Sequence, residues 1–399
     1  MRYLIVVCFS FILQAQTLQE VIEYSFKHNY QLQILQEEQE ITDTESDIDA
    51  LWSDPILKIG INDIQSDKPL NRNEEAMQNQ FISLSQTIPL SNKLKISSDI
   101  DKEKIEVIEE KKEILKVDIA FTIRKDFIKA SYAQNSLDIL EKYISFLQTP
   151  MNLLVNLSAV DSNNVEEYIK TELLQKNYKL KLQNFLENIE IAKEEIELVG
   201  NIKIDSFDNE AVLKFYDQER LETLLDNIST DNPRLKMVNR LKVVAKKNLL
   251  LANAKKQADI TVTSGVYQRF DRNDYISVAV SYPLFIHNRQ SKQKIQAIKR
   301  VNIQNITYNQ TKVKLEQSLK IYLRKLKTIN QELIILDEIK IKIKKLIQNA
   351  KSELSVGGSL VHYYELFTKK TDNLLALNKK ELEKALIQNQ IMRILGETK

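Results

Sequence analysis

The side chains that most often carry chemistry are scarce in this chain. Its 399 residues include three His (His28, His287 and His362) and one Cys (Cys8). The three His stand far apart in unrelated contexts, which disfavours a triad or an imidazole-built metal site. A single Cys excludes disulfides, Cys-based zinc sites and iron–sulfur clusters within one chain. No Gly-rich phosphate loop and no Ser-centred elbow is present. The sequence therefore implies no enzyme, no metal and no cofactor, and attention passes to the elements themselves.

Composition says what those elements are. Only 6 Gly and 6 Pro occur, where a soluble α/β enzyme of this length would carry roughly 28 and 20 at average usage. That deficit disfavours tight turns and favours long helices, which tolerate neither residue. Hydrophobic residues make up 43% and charged residues 28%, so the chain can bury surface without being a bundle of membrane-spanning helices. Lys+Arg 57 against Asp+Glu 55 leaves a net charge of +2 and no electrostatic case for nucleic acid. At the N-terminus, Arg2, an apolar run from Tyr3 to Leu13 and Gln14-Ala15-Gln16 read as a secretory signal over residues 1–16. The run is too short to span a bilayer as a helix, and Cys8 would leave with it.

The sequence is written twice. Leu18-Gln19-Glu20-Val21-Ile22-Glu23 resembles Leu221-Glu222-Thr223-Leu224-Leu225-Asp226, and Asn29-Tyr30-Gln31-Leu32 resembles Asn232-Pro233-Arg234-Leu235. Ile82-Ser83-Leu84 with Pro89-Leu90 matches Ile276-Ser277-Val278 with Pro283-Leu284, and Leu198-Val199-Gly200 matches Ile394-Leu395-Gly396. All are about 200 residues apart and in the same order, as a duplication requires. Two repeats are expected, 17–218 and 219–399. Gly200 and Gly396 are expected to cap the long helices that they close.

Each repeat opens with a helical stretch split near Asn29 or Asn232. Two β-like runs follow, at 56–64 and 80–88 in the first repeat and at 260–269 and 275–284 in the second. Ile276, Val278, Val280 and Tyr282 share one face against Ser277, Ala279 and Ser281. The other three runs alternate likewise, with Leu57, Ile59 and Ile61, then Ile82, Leu84 and Ile88, then Ile260, Val262 and Val266 opposite small or polar residues. At about nine to ten residues, such runs have the length of tilted strands across an outer membrane. A half-buried soluble sheet alternates in the same way, and the pattern alone leaves both readings open. Trp52, Tyr282 and Phe285 suit an interfacial aromatic belt or ordinary packing at a strand–helix junction. After each strand pair a helical hairpin is expected, at 92–200 and 289–396. Its apolar positions recur in steps of three, four or seven, as Ile119, Ile123, Phe127 and Ala130 illustrate. Turns are expected at 159–164 and 355–359.

The signal segment, the duplicated strand pair with long hairpin, and the Pro after each second strand together resemble the TolC family of outer-membrane channels. The motifs that carry the resemblance are Ile82-Ser83-Leu84-Ser85-Gln86-Thr87-Ile88-Pro89-Leu90, Ser277-Val278-Ala279-Val280-Ser281-Tyr282-Pro283-Leu284 and Ser355-Val356-Gly357-Gly358-Ser359. The resemblance covers nearly all of the chain after the signal. It implies a mainly α fold with a β-barrel part, closed as a homotrimeric α/β-barrel tube in the outer membrane of a Gram-negative bacterium. It implies a passive export duct, without chemistry of its own, that meets an inner-membrane transporter through a periplasmic adaptor (membrane fusion protein). The hairpin turns, with Asn163, Gly357, Gly358 and Ser359, would touch that adaptor. Strand residues Ile276, Val278, Val280 and Tyr282 would face lipid.

Members of that family often place aspartates after the Gly of the final tip turn, where they narrow the closed pore. The matching positions here are Tyr363 and Leu366, with His362 and Glu365 beside them, while the first repeat offers Glu166 and Glu167. A constriction built from Glu166, Glu167, His362, Tyr363, Tyr364 and Glu365 is the expectation that follows, and solvated helix positions are the plain alternative. The rival architecture is a periplasmic coiled-coil adaptor, which has one hairpin flanked by Gly-rich β domains; two hairpins and 6 Gly disfavour it.

Overall fold

A computed structural model describes residues 17–158, 162–207, 223–225, 228, 231–354 and 360–398. The expected signal segment and the turn residues Gly357, Gly358 and Ser359 lie outside the described residues. The element order is α1 (Leu18–His28), α2 (Tyr30–Ala50), β1 (Ile56–Asn62), β2 (Asn79–Ile88), α3 (Lys93–Ser158), α4 (Ser162–Gly200), α5 (Pro233–Ala254), β3 (Ile260–Gln268), β4 (Tyr275–Ser281), α6 (Arg289–Leu354) and α7 (Leu360–Leu395). Mostly helix with one small antiparallel sheet is the fold class that the sequence predicts. Helices α3 and α6 each run for 66 residues, roughly 100 Å at 1.5 Å per residue. Neither contains Gly, and the one Pro inside α3, Pro150, comes near its end.

Caps set the helix boundaries. Thr17 and Glu20 form a reciprocal capping box at the start of α1. Asn29 separates α1 from α2, and its Oδ1 accepts from the backbone N–H of Gln31 at 3.0 Å and of Leu32 at 3.2 Å. Its Nδ2 donates to the Val199 carbonyl near the end of α4 at 2.8 Å. Asn232, just before α5, donates in the same way to the Ile394 carbonyl near the end of α7 at 2.6 Å. Gly396 has φ +85, and its N–H and that of Glu397 both donate to the Met392 carbonyl, so it is the left-handed cap expected. At Gly200 the expectation is corrected. The left-handed residue is Asn201, with φ 53, and Gly200 is the last residue of α4. Gly is needed there for close approach: a Cβ at Gly200 would stand 2.5 Å from the Ser25 Oγ of α1.

The chain divides into two compact units. One comprises the chain up to Gln33, Lys112–Pro233 and the chain from Lys312. It is helical, and its core gathers Val21 and Ile22 of α1, Ile119, Ile123 and Phe127 of α3 and Ile196 of α4. Phe207 meets Phe127 edge-on at 5.0 Å. The other unit comprises Ile34–Lys111 and Arg234–Thr311. Among the described residues it holds all four strands, in the order β1-β2-β3-β4, so β1 and β4 are the two open edges. Its helices pack through short polar links: Ser46 of α2 meets Ser98 of α3 at 2.9 Å between hydroxyls, and Lys247 of α5 meets Glu103 of α3 at 3.1 Å. Lys93 and Asp259 form an ion pair beside the sheet.

Strand ends differ slightly from the expected ranges. β1 stops at Asn62 because Asp63 takes φ 59, and Gln78 ties the Asp63 carbonyl back at 3.0 Å. β4 stops at Ser281, so Tyr282 lies just beyond it. Pro283 follows, lacks an N–H and restricts the residue before it, which ends the ladder.

Candidate functional site

The sheet register assigns every strand residue to a face. Ile59 pairs with Ile82, Ile82 with Val266, and Val266 with Ile276, so these four side chains form one row across the sheet. Leu57, Leu84, Ser264 and Val278 form the next row. The face is thus almost continuously aliphatic. It is also uncovered within the chain: Ile276 is 73% exposed and Val278 68%. Val280 shares that face and exposure, and Trp52, Tyr282 and Phe285 are exposed just outside the strands. The opposite face carries Ser83, Ser85, Thr87, Thr261, Thr263, Gly265 and Ser277 in register. Hydroxyls meet there across the strands, Ser85 with Thr263 at 2.8 Å and Thr87 with Thr261 at 3.0 Å.

At the hairpin end, the small face carries an aromatic row that the alternation did not foretell. Phe81 stacks on Tyr267 with centroids 5.3 Å apart, and Tyr267 on Tyr275 at 4.9 Å. The Arg269 guanidinium lies 5.2 Å from the Tyr275 ring. Gly60 gives Phe81 its place, since a Cβ there would stand 2.8 Å from the ring.

A second candidate site lies in the helical unit, where the end of α3 and the starts of α4 and α7 meet. A cavity of about 290 Å³ is lined by Tyr143, Leu147, Glu167, Thr171, Tyr364 and Glu365, among others. The structure therefore brings Glu167, Tyr364 and Glu365 together, although they stand far apart in sequence. Lys170 bridges Glu166 at 2.8 Å and Glu167 at 2.9 Å. Its hydrogen bond and charge hold the Glu166 carboxyl below the usual range. His362 stands 3.9 Å from Glu365. Tyr363 does not line the cavity; it packs against Phe367 at 4.9 Å and lies 5.8 Å from Tyr364. Burial pushes the Tyr364 and Tyr143 hydroxyls up from their ordinary value. Asn163 falls in the first turn of α4, since that helix begins at Ser162.

No family model matches this chain, and no curated protein sequence does. Solved structures do. The CmeC outer membrane channel of Campylobacter jejuni is 14% identical with a TM-score of 0.75, over 95% of this chain and 85% of that one. The MtrE outer membrane channel of Neisseria gonorrhoeae, in its open state, is 15% identical with a TM-score of 0.75, over 96% and 89%. The outer membrane protein VceC of Vibrio cholerae is 12% identical with a TM-score of 0.73, over 95% and 96%. The chain has the outer-membrane channel fold. This is the fold that the TolC-family resemblance implies, and it spans nearly the whole chain.

Within this channel fold, sequence reasoning missed the partners of the candidate constriction. Tyr178 donates to Asp372 Oδ1 at 2.9 Å, and Tyr143 meets the Thr368 hydroxyl at 2.5 Å. Phe146 stacks on Phe367 at 4.2 Å. These links join α3 and α4 to α7. The available signal was aromatic density: Tyr143 and Phe146 on one helix, Tyr363, Tyr364 and Phe367 on another, at spacings that put each group on one side. Among the described residues, no group of His, Cys, Asp and Glu could hold a metal ion, and no helix is long and apolar enough to cross a membrane.

Proposed function

We propose that this chain is one protomer of a homotrimeric outer-membrane efflux or secretion channel, built as two repeats, 17–218 and 219–399. One observation carries the reading: a four-stranded sheet has an exposed aliphatic face, a hydroxyl-lined opposite face and two unpaired edges. Four strands cannot close a barrel, and open edges are not tolerated in lipid. Three copies supply twelve strands and close it, with Ile276, Val278 and Val280 toward lipid and Ser277 and Ser281 toward the lumen. The counterpart bonds of Asn29 and Asn232 to the ends of α4 and α7 support the duplication. The channel is a passive duct. It receives cargo from an inner-membrane transporter through a periplasmic adaptor that meets the hairpin turns near Asn163 and Gly357, Gly358 and Ser359.

The resting constriction in this proposal is the cluster of Glu166, Glu167, His362, Tyr363, Tyr364 and Glu365. Each protomer brings two carboxylates and one Lys170 ammonium from α4, so the ring keeps a net negative charge and favours cations. The test is reconstitution of the purified protein into planar bilayers. A heat-modifiable oligomer with cation-selective conductance is expected, with selectivity reduced in Glu167→Ala and resting conductance raised in Tyr363→Ala. An oligomer that conducts nothing would overturn the duct; a duct indifferent to both substitutions would place the constriction elsewhere.

A further inference from the structure

Two helix faces in the sheet-bearing unit are left exposed among the described residues, and they are complementary. Helix α2 packs on α3 at Ser46, which meets Ser98, and Thr42 is buried one turn earlier. Its other side presents Ile34, Glu37, Ile41, Thr44 and Ile48, in steps of three and four residues, which is a second heptad seam. All five are exposed, Ile41 at 59%. Within α2 stand seven carboxylates and no Lys or Arg. Helix α6 turns Ala297 inward and places Tyr308 against Lys242 of α5, 5.6 Å from nitrogen to ring centre. Its other side presents Lys292, Ile295, Lys299, Ile303 and Ile306, again in steps of three and four. All five are exposed, Ile306 at 67%. The first 23 residues of α6, from Arg289 to Thr311, carry five Lys or Arg and no acid.

The strand order gives these faces a common meaning. Helix α2 leads into β1 and α6 leaves β4, and β1 and β4 are the two edges of the sheet. Whatever extends the sheet at β1 must sit beside α2, and whatever extends it at β4 must sit beside α6. We propose that the occupant is a second copy of this chain, with α2 of one protomer docked antiparallel on α6 of the next. Isoleucines interdigitate along the seam, and the acidic α2 faces the basic α6. A head-to-tail contact of this kind closes into a ring. Opposite charge also sets direction, because α2 against α2 or α6 against α6 would oppose like charges. The inference rests on the channel reading and names the surface by which its protomers recognise one another.

Charge reversal with rescue tests it. The full-length protein is extracted from the membrane in detergent, and its oligomeric state is read by light scattering. Glu37→Lys with Glu40→Lys, the latter also exposed on α2 beside Ile41 and Thr44, should lose the trimer, and Lys292→Glu with Lys299→Glu should lose it too. Combining all four changes should restore it, and helix content by circular dichroism should stay at the wild-type level throughout. Trimers that survive either double reversal, or a fourfold variant that stays dissociated, would overturn the α2–α6 seam. A wild-type protein that is monomeric at the start would instead overturn the channel reading itself, so the two failures are distinguishable.

Discussion

The strands and the helical core place their apolar side chains in opposite ways. Around Phe127, Ile and Val are covered and the charged residues of α3 and α4 stand mostly outside. In the sheet, Ile59, Ile82, Val278 and Ile276 stand outside, while Ser83 and Ser85 are buried. Surface of that kind costs about 25 cal/mol per Å² against water, so the two regions are built for different surroundings. The helical unit buries a core of its own, although Leu180, Leu198 and Ile334 on its helices remain exposed. The sheet leaves its aliphatic face uncovered, and in the proposed channel lipid covers that face and neighbouring protomers close the edges. Under the proposed function the aliphatic rows answer to the external medium, as the core around Phe127 answers to internal packing.

The largest way to test that contrast is to remove a core side chain. Phe127→Ala should destabilise the protein by about 3–5 kcal/mol, measured by thermal melting of the detergent-solubilised protein, because its place between α1, α3 and α4 cannot refill. On the sheet, the matching test adds a charge. Val278→Arg should cost about 2–4 kcal/mol in assembly near the membrane midplane, whereas Ser281→Arg should be tolerated. Equal yields of membrane-extracted oligomer for both would erase the difference between the faces.

A smaller effect follows from a charge buried in the helical unit. Asp126 is 0% exposed, with Lys125 at 3.3 Å and Lys129 at 3.4 Å. Burial, reinforced by the neighbouring Glu195 carboxylate, pushes its carboxyl up to about 6. A raised carboxyl contributes stability that is present below the ordinary Asp range and lost as pH rises through about 6. Glu195, held down chiefly by its hydrogen bond from Lys125, acts in the opposite sense and loses its contribution as pH falls. Asp126→Asn should therefore gain in melting temperature relative to wild type between pH 4 and pH 7. A difference that does not change with pH would show that Asp126 titrates as an ordinary carboxylate. The smallest expected effect is at the aromatic cluster. Tyr178→Phe removes the bond to Asp372 and should cost about 0.5–1.5 kcal/mol; a silent variant would mean that ring packing alone holds α4 to α7.

Much of this was legible from residue order. The strand faces could be read because side chains alternate with period two, and the register then had to match them row by row. Asn29 and Asn232 were visible as breaks because each interrupts a helical pattern. Gly200 was misjudged for a physical reason: a cap and a close approach both demand Gly, and only the position of Ser25 tells them apart. Tyr282 was assigned to a strand by its alternation, although the following Pro283 had already removed the next ladder donor.

The sequence by itself determined the long Gly-free helices and the four alternating strands, because these depend on local propensity and on repeating period. Only the tertiary structure decided which distant residues meet. The pairing of Tyr178 with Asp372, the gathering of Glu167, Tyr364 and Glu365 around one cavity, and the exposure of α2 and α6 on their outer sides depend on how helices rotate about their axes. That rotation is fixed by the sum of many packing contacts, and no single residue along the chain records it.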